Sequence, residues 1–176
     1  MDKFKSKYRI QSTRLQYWDY ASNSMYFLTI CTQGKENYFG NIENGIMILS
    51  EIGKIVQECW QNIPAHFPFV QLDESVVMPN HIHGIVLINK PPQLNSPTTN
   101  PPQSQNKFGS QSQNLASIIR GFKTGVTKYA RKNHINFDWQ SRYHDHIIRD
   151  NNSLERIRNY IINNPIKWEF DKFNND

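Results

Sequence analysis

Two histidines separated by a single residue are the feature of this sequence with the clearest chemical potential. His81 and His83 open an apolar run, rich in β-branched residues, that ends at Ile88, and such a run is typical of a buried strand. Residues i and i+2 of a strand project to the same side, so both imidazoles should face one way. Neutral imidazoles are common ligands of divalent cations. The pair therefore predicts half of a metal site, although two polar residues on the exposed face of an edge strand would show the same spacing.

A tyrosine on a later helix is the candidate nucleophile. Apolar residues recur at helical spacing between positions 114 and 133, and Tyr129 continues their stripe. Asn133 follows one turn later on the same face, where its carboxamide oxygen could be a third metal ligand. A tyrosine hydroxyl can attack phosphorus and form a covalent ester. Periodicity alone also allows Tyr129 to be an ordinary core residue.

The opposite face of this helix is strongly basic. No acidic residue occurs between Glu74 and Asp138, and the whole chain carries a formal net charge of +5. A solvated helix usually mixes the two signs, whereas a face of one sign suits the phosphates of a nucleic acid. The predicted DNA-contacting residues of this helix are Arg120, Lys123, Lys128, Arg131 and Lys132.

Residues 1–20 form a second basic segment, in which lysines and arginines, Arg14 among them, alternate with aromatic residues. This mixture suits contacts to phosphates and stacking on bases. An arm whose aromatic residues pack back onto the domain explains the same pattern equally well.

Residues 90–114 differ from the rest of the chain in composition. They are rich in Pro, Gln, Asn and Ser and have no hydrophobic periodicity, which predicts a flexible insertion without chemistry of its own. Neither half of the chain has enough elements for a separate core, so the insertion should join two parts of one domain spanning residues 1–176.

Composition narrows the class of protein further. Cys31 and Cys59 have neither a metal-binding spacing nor the pattern of a disulfide framework. The first residues lack the apolar segment of a secretory signal, and no stretch has the length of a membrane span. We therefore expect a soluble cytoplasmic protein without a membrane partner.

Four sequence motifs resemble a known family. The segments 78–84 (MPNHIHG) and 26–32 (YFLTICT) resemble the HUH single-tyrosine transposases of insertion sequences. The segments 139–146 (WQSRYHDH) and 160–165 (YIINNP) resemble the subgroup associated with repetitive extragenic palindromes, abbreviated REP. The resemblance extends over nearly the whole chain outside the insertion, with the motifs in family order.

The resemblance implies both a fold and a site. The expected fold is a single α+β domain of the ferredoxin or RNA-recognition type, with a central antiparallel sheet and packed helices. By the same resemblance His81 and His83 hold a divalent metal, Mg²⁺ or Mn²⁺, and Tyr129 is the nucleophile. Asn133 stands where related enzymes more often have glutamine as the third ligand. The elements expected are strands near 26–32, 46–49, 69–77, 82–89 and 143–149, and helices near 50–62, 114–133 and 152–163.

The function expected from this resemblance is a metal-dependent endonuclease and strand transferase acting on single-stranded DNA near hairpins. It would proceed through a 5′-phosphotyrosine on Tyr129, in a bacterial cytoplasm with a nucleoid-associated substrate. A homodimer in which Tyr129 acts on the other subunit's site is a further option. Two alternatives stay open: a regulator that binds hairpin DNA without cleaving it, and a hydrolase in which water attacks.

Overall fold

The computed structural model describes residues 3–4, 7–8, 15, 17–92 and 113–174. Its strands are β1 (Lys3–Phe4), β2 (Lys7–Tyr8), β3 (Ser24–Cys31), β4 (Gly40–Glu43), β5 (Ile46–Leu49), β6 (Val70–Met78), β7 (His81–Ile88) and β8 (His144–Ile148). Its helices are α1 (Glu51–Gln61), α2 (Ile63–His66), α3 (Leu115–Lys132) and α4 (Asn151–Ile162). Short 3₁₀ helices cover Gln33–Lys35 and Pro165–Phe170.

A four-stranded antiparallel sheet in the order β6-β7-β3-β8 forms the centre of the fold. The pairing register places Thr29 of β3 opposite His83 on one side and opposite His144 on the other. Directly paired residues share a face of the sheet, so these three side chains form one row across it. The strand pairs β1–β2 and β4–β5 lie outside this sheet.

The two faces of the sheet are covered by different helices. Helices α1 and α3 bury their apolar stripes on the face that carries Ile82 and Val86, and this is the larger core. Helix α4 packs on the opposite face, where Ile85 of β7 meets Ile157 and Ile161. Because neighbouring residues of a strand point to opposite faces, His81 and His83 lie on the α4 side with Ile85.

Local sequence explains where the long helices begin. Ser50 accepts a hydrogen bond from the Gly53 amide at the start of α1, at 3.1 Å. Asn114 forms a reciprocal capping box with Ser117 at the start of α3. Such side chains satisfy amides that have no partner in the first helical turn, and therefore fix these helix starts.

The predicted fold class is confirmed: the protein is one small α+β domain with a central antiparallel sheet and packed helices. Sequence patterns did not predict β4, α2 or the 3₁₀ helix Pro165–Phe170. In the described part of the N-terminal arm, Trp18 and Tyr20 pack back on the core, and the Trp18 indole donates to the Tyr26 hydroxyl at 3.0 Å.

Most of the predicted insertion, residues 93–112, lies outside the described residues, as does Arg14. The ends of the predicted segment belong to the fold, since Lys90 donates to the Ala21 carbonyl and Asn114 caps α3. Across the described ranges, no helix combines the length and apolar character that crossing a membrane requires.

Candidate metal and DNA site

Strand β7 places the two histidines side by side, as their spacing predicted. Both are almost fully buried, with 0% and 1% of their surface exposed for His81 and His83. Their Nε2 atoms lie 3.0 Å apart. The intervening Ile82 points into the core on the other face.

Hydrogen bonds to the Nδ1 atoms orient both rings. His81 Nδ1 lies 2.8 Å from Asn80 Oδ1. The Asn80 amide nitrogen donates to the carbonyls of Lys35 and Phe173, which fixes the orientation of the amide. An amide oxygen only accepts, so His81 carries its hydrogen on Nδ1. His83 Nδ1 lies 2.9 Å from the Thr29 hydroxyl, which can also accept. With the hydrogen of His83 on Nδ1 as well, both Nε2 lone pairs are directed into the space between the rings, as in metal-ligating histidines.

Both imidazoles are held in the neutral form. Burial is the main cause that lowers the pKa of His81 well below its usual value, and the neighbouring His83 adds to the effect. Burial likewise lowers the pKa of His83 to about 4. Neutral imidazole is the form that coordinates metals, so the site is prepared for a cation at neutral pH.

The chain segment after α4 adds a carboxylate to the histidine pair. A carboxylate oxygen of Asp171 joins the imidazole nitrogens in a group whose ligand atoms lie within 4.8 Å of one another. Asn164 donates to Asp171 at 3.1 Å, while its own side-chain oxygen is buried without a hydrogen-bond partner. A buried polar atom without a partner is costly and calls for a ligand or a solvent molecule.

This donor set fits a divalent cation. Two ligands at about 2.1 Å from one ion and at right angles to each other lie about 3.0 Å apart, which matches the separation of the Nε2 atoms. Two imidazoles with a carboxylate oxygen suit Mg²⁺ or Mn²⁺, and thiolate ligands typical of structural zinc are lacking in this group.

Tyr160 of α4 lies next to the histidine pair. Its hydroxyl lies 3.2 Å from His83 Nε2, and 40% of the residue is exposed. Burial of part of the side chain raises the pKa of the phenol, and the charge of Asp171 raises it further. A cation at the histidines would act in the opposite direction, since a nearby positive charge favours the phenolate.

A cavity of about 730 Å³ opens beside Tyr160, which we call the histidine pocket. Its lining combines aromatic rings with cationic groups. The aromatic residues are Phe27, Tyr143, Tyr160, Phe170 and Phe173, and the cations are Lys35, Arg142 and Lys172. Aromatic and cationic side chains together are the usual means of holding unpaired nucleotides.

Tyr129 and Asn133 do not belong to this site within one chain. Helix α3 packs on the Ile82 face, so the sheet separates it from the histidines. The Tyr129 hydroxyl donates to Glu51 of α1 at 2.5 Å, and this carboxylate raises the pKa of the phenol. Asn133 ends α3, and its amide donates to the Tyr129 carbonyl at 2.9 Å.

The predicted basic residues of α3 gather elsewhere, along what we call the α3 groove. Arg120, Lys123, Lys128 and Arg131 line it, whereas Lys132 is exposed outside its lining. Lys123 is turned inward, because its ammonium donates to the Gln140 carbonyl at 2.6 Å. Burial lowers the pKa of Lys123 to about 8.

Sequence reasoning missed three residues of the site. Tyr160, Asn164 and Asp171 all follow the start of α4, and only the first two had a detectable signal. Tyr160 and Asn164 lie four residues apart, which is also the spacing of Tyr129 and Asn133. Both fall in the segment 160–165 that carries the family resemblance. Nothing in the sequence marks Asp171.

Comparisons with known proteins show which sequences and structures this chain resembles. No family model matches the chain. An uncharacterized protein of Haemophilus influenzae is 47% identical over 171 residues, which cover 92% of this chain and 91% of that protein. A second protein of that organism, named as a REP-associated tyrosine transposase, is 25% identical and covers 90% of this chain and 84% of its own length. The chain belongs to the family of the first protein and is similar in sequence to the second.

A solved structure shares the fold. It is a REP-associated tyrosine transposase bound to a REP hairpin, and it matches with a TM-score of 0.61 and 16% sequence identity. The match covers 93% of this chain and 77% of that one.

Proposed function

We propose that the protein is a metal-dependent endonuclease and strand transferase that cleaves single-stranded DNA near hairpins. We propose Tyr160, rather than Tyr129, as the residue that forms a 5′-phosphotyrosine. The observation that carries the proposal is the position of the Tyr160 hydroxyl, 3.2 Å from His83 Nε2 at the point where both histidines and Asp171 meet.

A phosphodiester resists attack because its negative charge repels nucleophiles and an alkoxide is a poor leaving group. A divalent cation held by His81, His83 and Asp171 would neutralise that charge. Tyr160 stands at the edge of this group on a helix whose Ile157 and Ile161 are buried, so its approach to the phosphate is fixed by packing.

In the proposed reaction the Tyr160 hydroxyl gives up its proton to solvent, and its oxygen forms a bond to phosphorus as the bond from phosphorus to the 3′-oxygen breaks. The 3′-oxygen leaves and takes up a proton, and the 5′-phosphate stays on the protein as an ester. This ester conserves the energy of the broken bond, so a 3′-hydroxyl can attack it and rejoin DNA without ATP. The same residues would therefore support both nicking and strand transfer.

The histidine pocket supports unpaired DNA as the substrate. Lys35, Arg142 and Lys172 suit phosphates, and the exposed ring of Phe170 suits a base. A hairpin next to the unpaired strand is proposed from the related transposase that was solved with a REP hairpin.

The test uses a panel of single strands that carry hairpins, incubated with the protein and Mn²⁺, with nicks and covalent protein–DNA adducts read on denaturing gels. Wild type should give both products. Tyr160→Phe should give neither, because it removes the attacking oxygen and keeps the ring that packs edge-on against Phe27. The lost hydrogen bond should cost at most about 0.5–1.5 kcal/mol of stability.

Tyr129→Phe is the matched control and should retain adduct formation. Adducts that survive Tyr160→Phe but disappear with Tyr129→Phe would instead make Tyr129 the nucleophile, supplied by a second copy of the chain. Nicks without adducts in wild type would indicate attack by water. Hairpin binding without nicks would indicate a regulator that has kept only the fold.

A further inference from the structure

The α3 groove and the histidine pocket meet at a single aromatic residue. The groove has a volume of about 470 Å³, and Tyr143 lines both it and the pocket. Tyr143 immediately precedes the edge strand β8, so the two sites lie on either side of this edge of the sheet.

The two surfaces differ in chemistry. Arg120, Lys128 and Arg131 are exposed on the groove side of α3, and the hydroxyl-bearing Thr124 and Thr127 lie between them. The described residues of the groove lining include no carboxylate, and Tyr143 is their only aromatic side chain. From Arg120 to Arg131 the helix rises by about 16 Å, which is long enough to follow several phosphates.

These features distinguish the two DNA forms that a hairpin substrate contains. Unpaired nucleotides expose their bases and are held by aromatic rings, which the histidine pocket supplies with Phe27, Phe170 and Tyr160. A duplex keeps its bases stacked inside and presents mainly phosphates, which basic side chains bind. The α3 groove therefore suits a duplex, and the histidine pocket suits an unpaired strand.

Lys123 fixes the segment 139–143, which lies between the groove and the pocket. Its ammonium donates to the Gln140 carbonyl at 2.6 Å and lies 5.6 Å from the centre of the Trp139 ring. The Trp139 indole in turn donates to the Lys123 carbonyl at 3.3 Å. The segment that leads into Tyr143 is therefore tied to α3.

We propose that the α3 groove binds the duplex stem of a DNA hairpin while the histidine pocket binds the adjoining unpaired strand. Tyr143 then stands at the junction and stacks on the last base pair of the stem. This inference rests on the proposed function, since it assumes that the pocket takes single-stranded DNA. It adds a stem-binding surface and a residue that positions the junction relative to Tyr160.

The groove is tested by binding measurements with three probes: a stem-loop with an unpaired flank, the flank alone, and the stem as a blunt duplex. The variant is the double substitution Arg120→Ala and Arg131→Ala. Removing two phosphate contacts should lower the slope of log K against log salt by about 1.8 for the stem-loop and the duplex. When the salt concentration is raised from 50 to 200 mM, the variant should therefore lose about tenfold less affinity than wild type loses.

The flank alone should bind this variant as it binds wild type. Lys54→Ala with Arg156→Ala removes two exposed helical cations outside the groove and is the control that should leave all three slopes unchanged. Equal weakening of the duplex and the flank, or no change for any probe, would overturn the inference. Because these readouts are binding constants, that failure is separate from a failure of wild type to form adducts.

Tyr143 is tested with 2-aminopurine at the flank base next to the stem, whose fluorescence rises when the Tyr143 ring takes the place of this base on the last base pair. Binding to wild type or Tyr143→Phe should alter this fluorescence in the same way. Tyr143→Leu keeps an apolar side chain without a ring and should lose the change, with the stem-loop still bound. An identical signal from Tyr143→Leu would show that Tyr143 does not mark the junction.

Discussion

Replacement of Gly84 by alanine should damage the site by overpacking the sheet behind it. Gly84 follows His83 in β7 and faces α1, where an added Cβ would overlap the Trp60 ring. Trp60 has little freedom to move away, because it is 1% exposed and meets Phe122 edge-on at 5.4 Å. The strand itself must then shift.

The size of the effect follows from two opposing contributions. Overpacking a dense core typically costs about 1–3 kcal/mol. Replacing glycine by alanine restricts the unfolded chain, which raises the free energy of unfolding by about 0.4–1 kcal/mol. The net loss should be about 1–2 kcal/mol, and since each kcal/mol shifts the Tm of a domain this large by about 2–4 °C, the Tm should fall by about 2–8 °C.

The measurement is thermal and urea unfolding of the metal-free protein, followed by Mn²⁺ titration. Gly125→Ala is the matched control, because its Cβ would meet only the Cys59 side chain, at 3.2 Å for the sulfur, and alanine favours the helix by about 1 kcal/mol. We expect Gly125→Ala to match or exceed wild type, and Gly84→Ala to weaken Mn²⁺ binding as the displaced strand moves His83. Unchanged stability of Gly84→Ala would refute the argument that Trp60 leaves no room.

Two further predictions concern the metal ligands. Burial lowers the pKa of both histidines, so the unfolded chain binds more protons than the folded one, and the free energy of unfolding falls as the pH falls from about 6.5 towards about 4. For His83 alone, whose pKa is about 4, the loss of free energy of unfolding is about 3 kcal/mol. Urea unfolding in EDTA at pH 4 and pH 7.5 measures it, and equal stability at the two values would contradict the burial argument. Asp171→Asn should raise the Kd for Mn²⁺ by about tenfold or more while the Tm changes little, as calorimetry can show. An unchanged Kd would remove Asp171 from the ligand set.

The sequence determined the features that depend on near neighbours. The alternation in β7 put His81 and His83 on one side, and the helical periodicity with the Ser50 cap located α1 and α3. These features follow from strand and helix geometry, which acts over a few residues. They were sufficient to predict the co-facial histidine pair, whereas the α+β class was expected from the family resemblance.

Only the tertiary structure decided which tyrosine meets the histidines. Tyr129 with Asn133 and Tyr160 with Asn164 have the same spacing, so helical periodicity cannot choose between them. The choice depends on which helix covers which face of the sheet, and α4 rather than α3 packs on the histidine face. Asp171 reaches the same face through the 3₁₀ helix after α4, far along the chain from β7. Contacts of this kind arise from packing between distant segments, which no local pattern records.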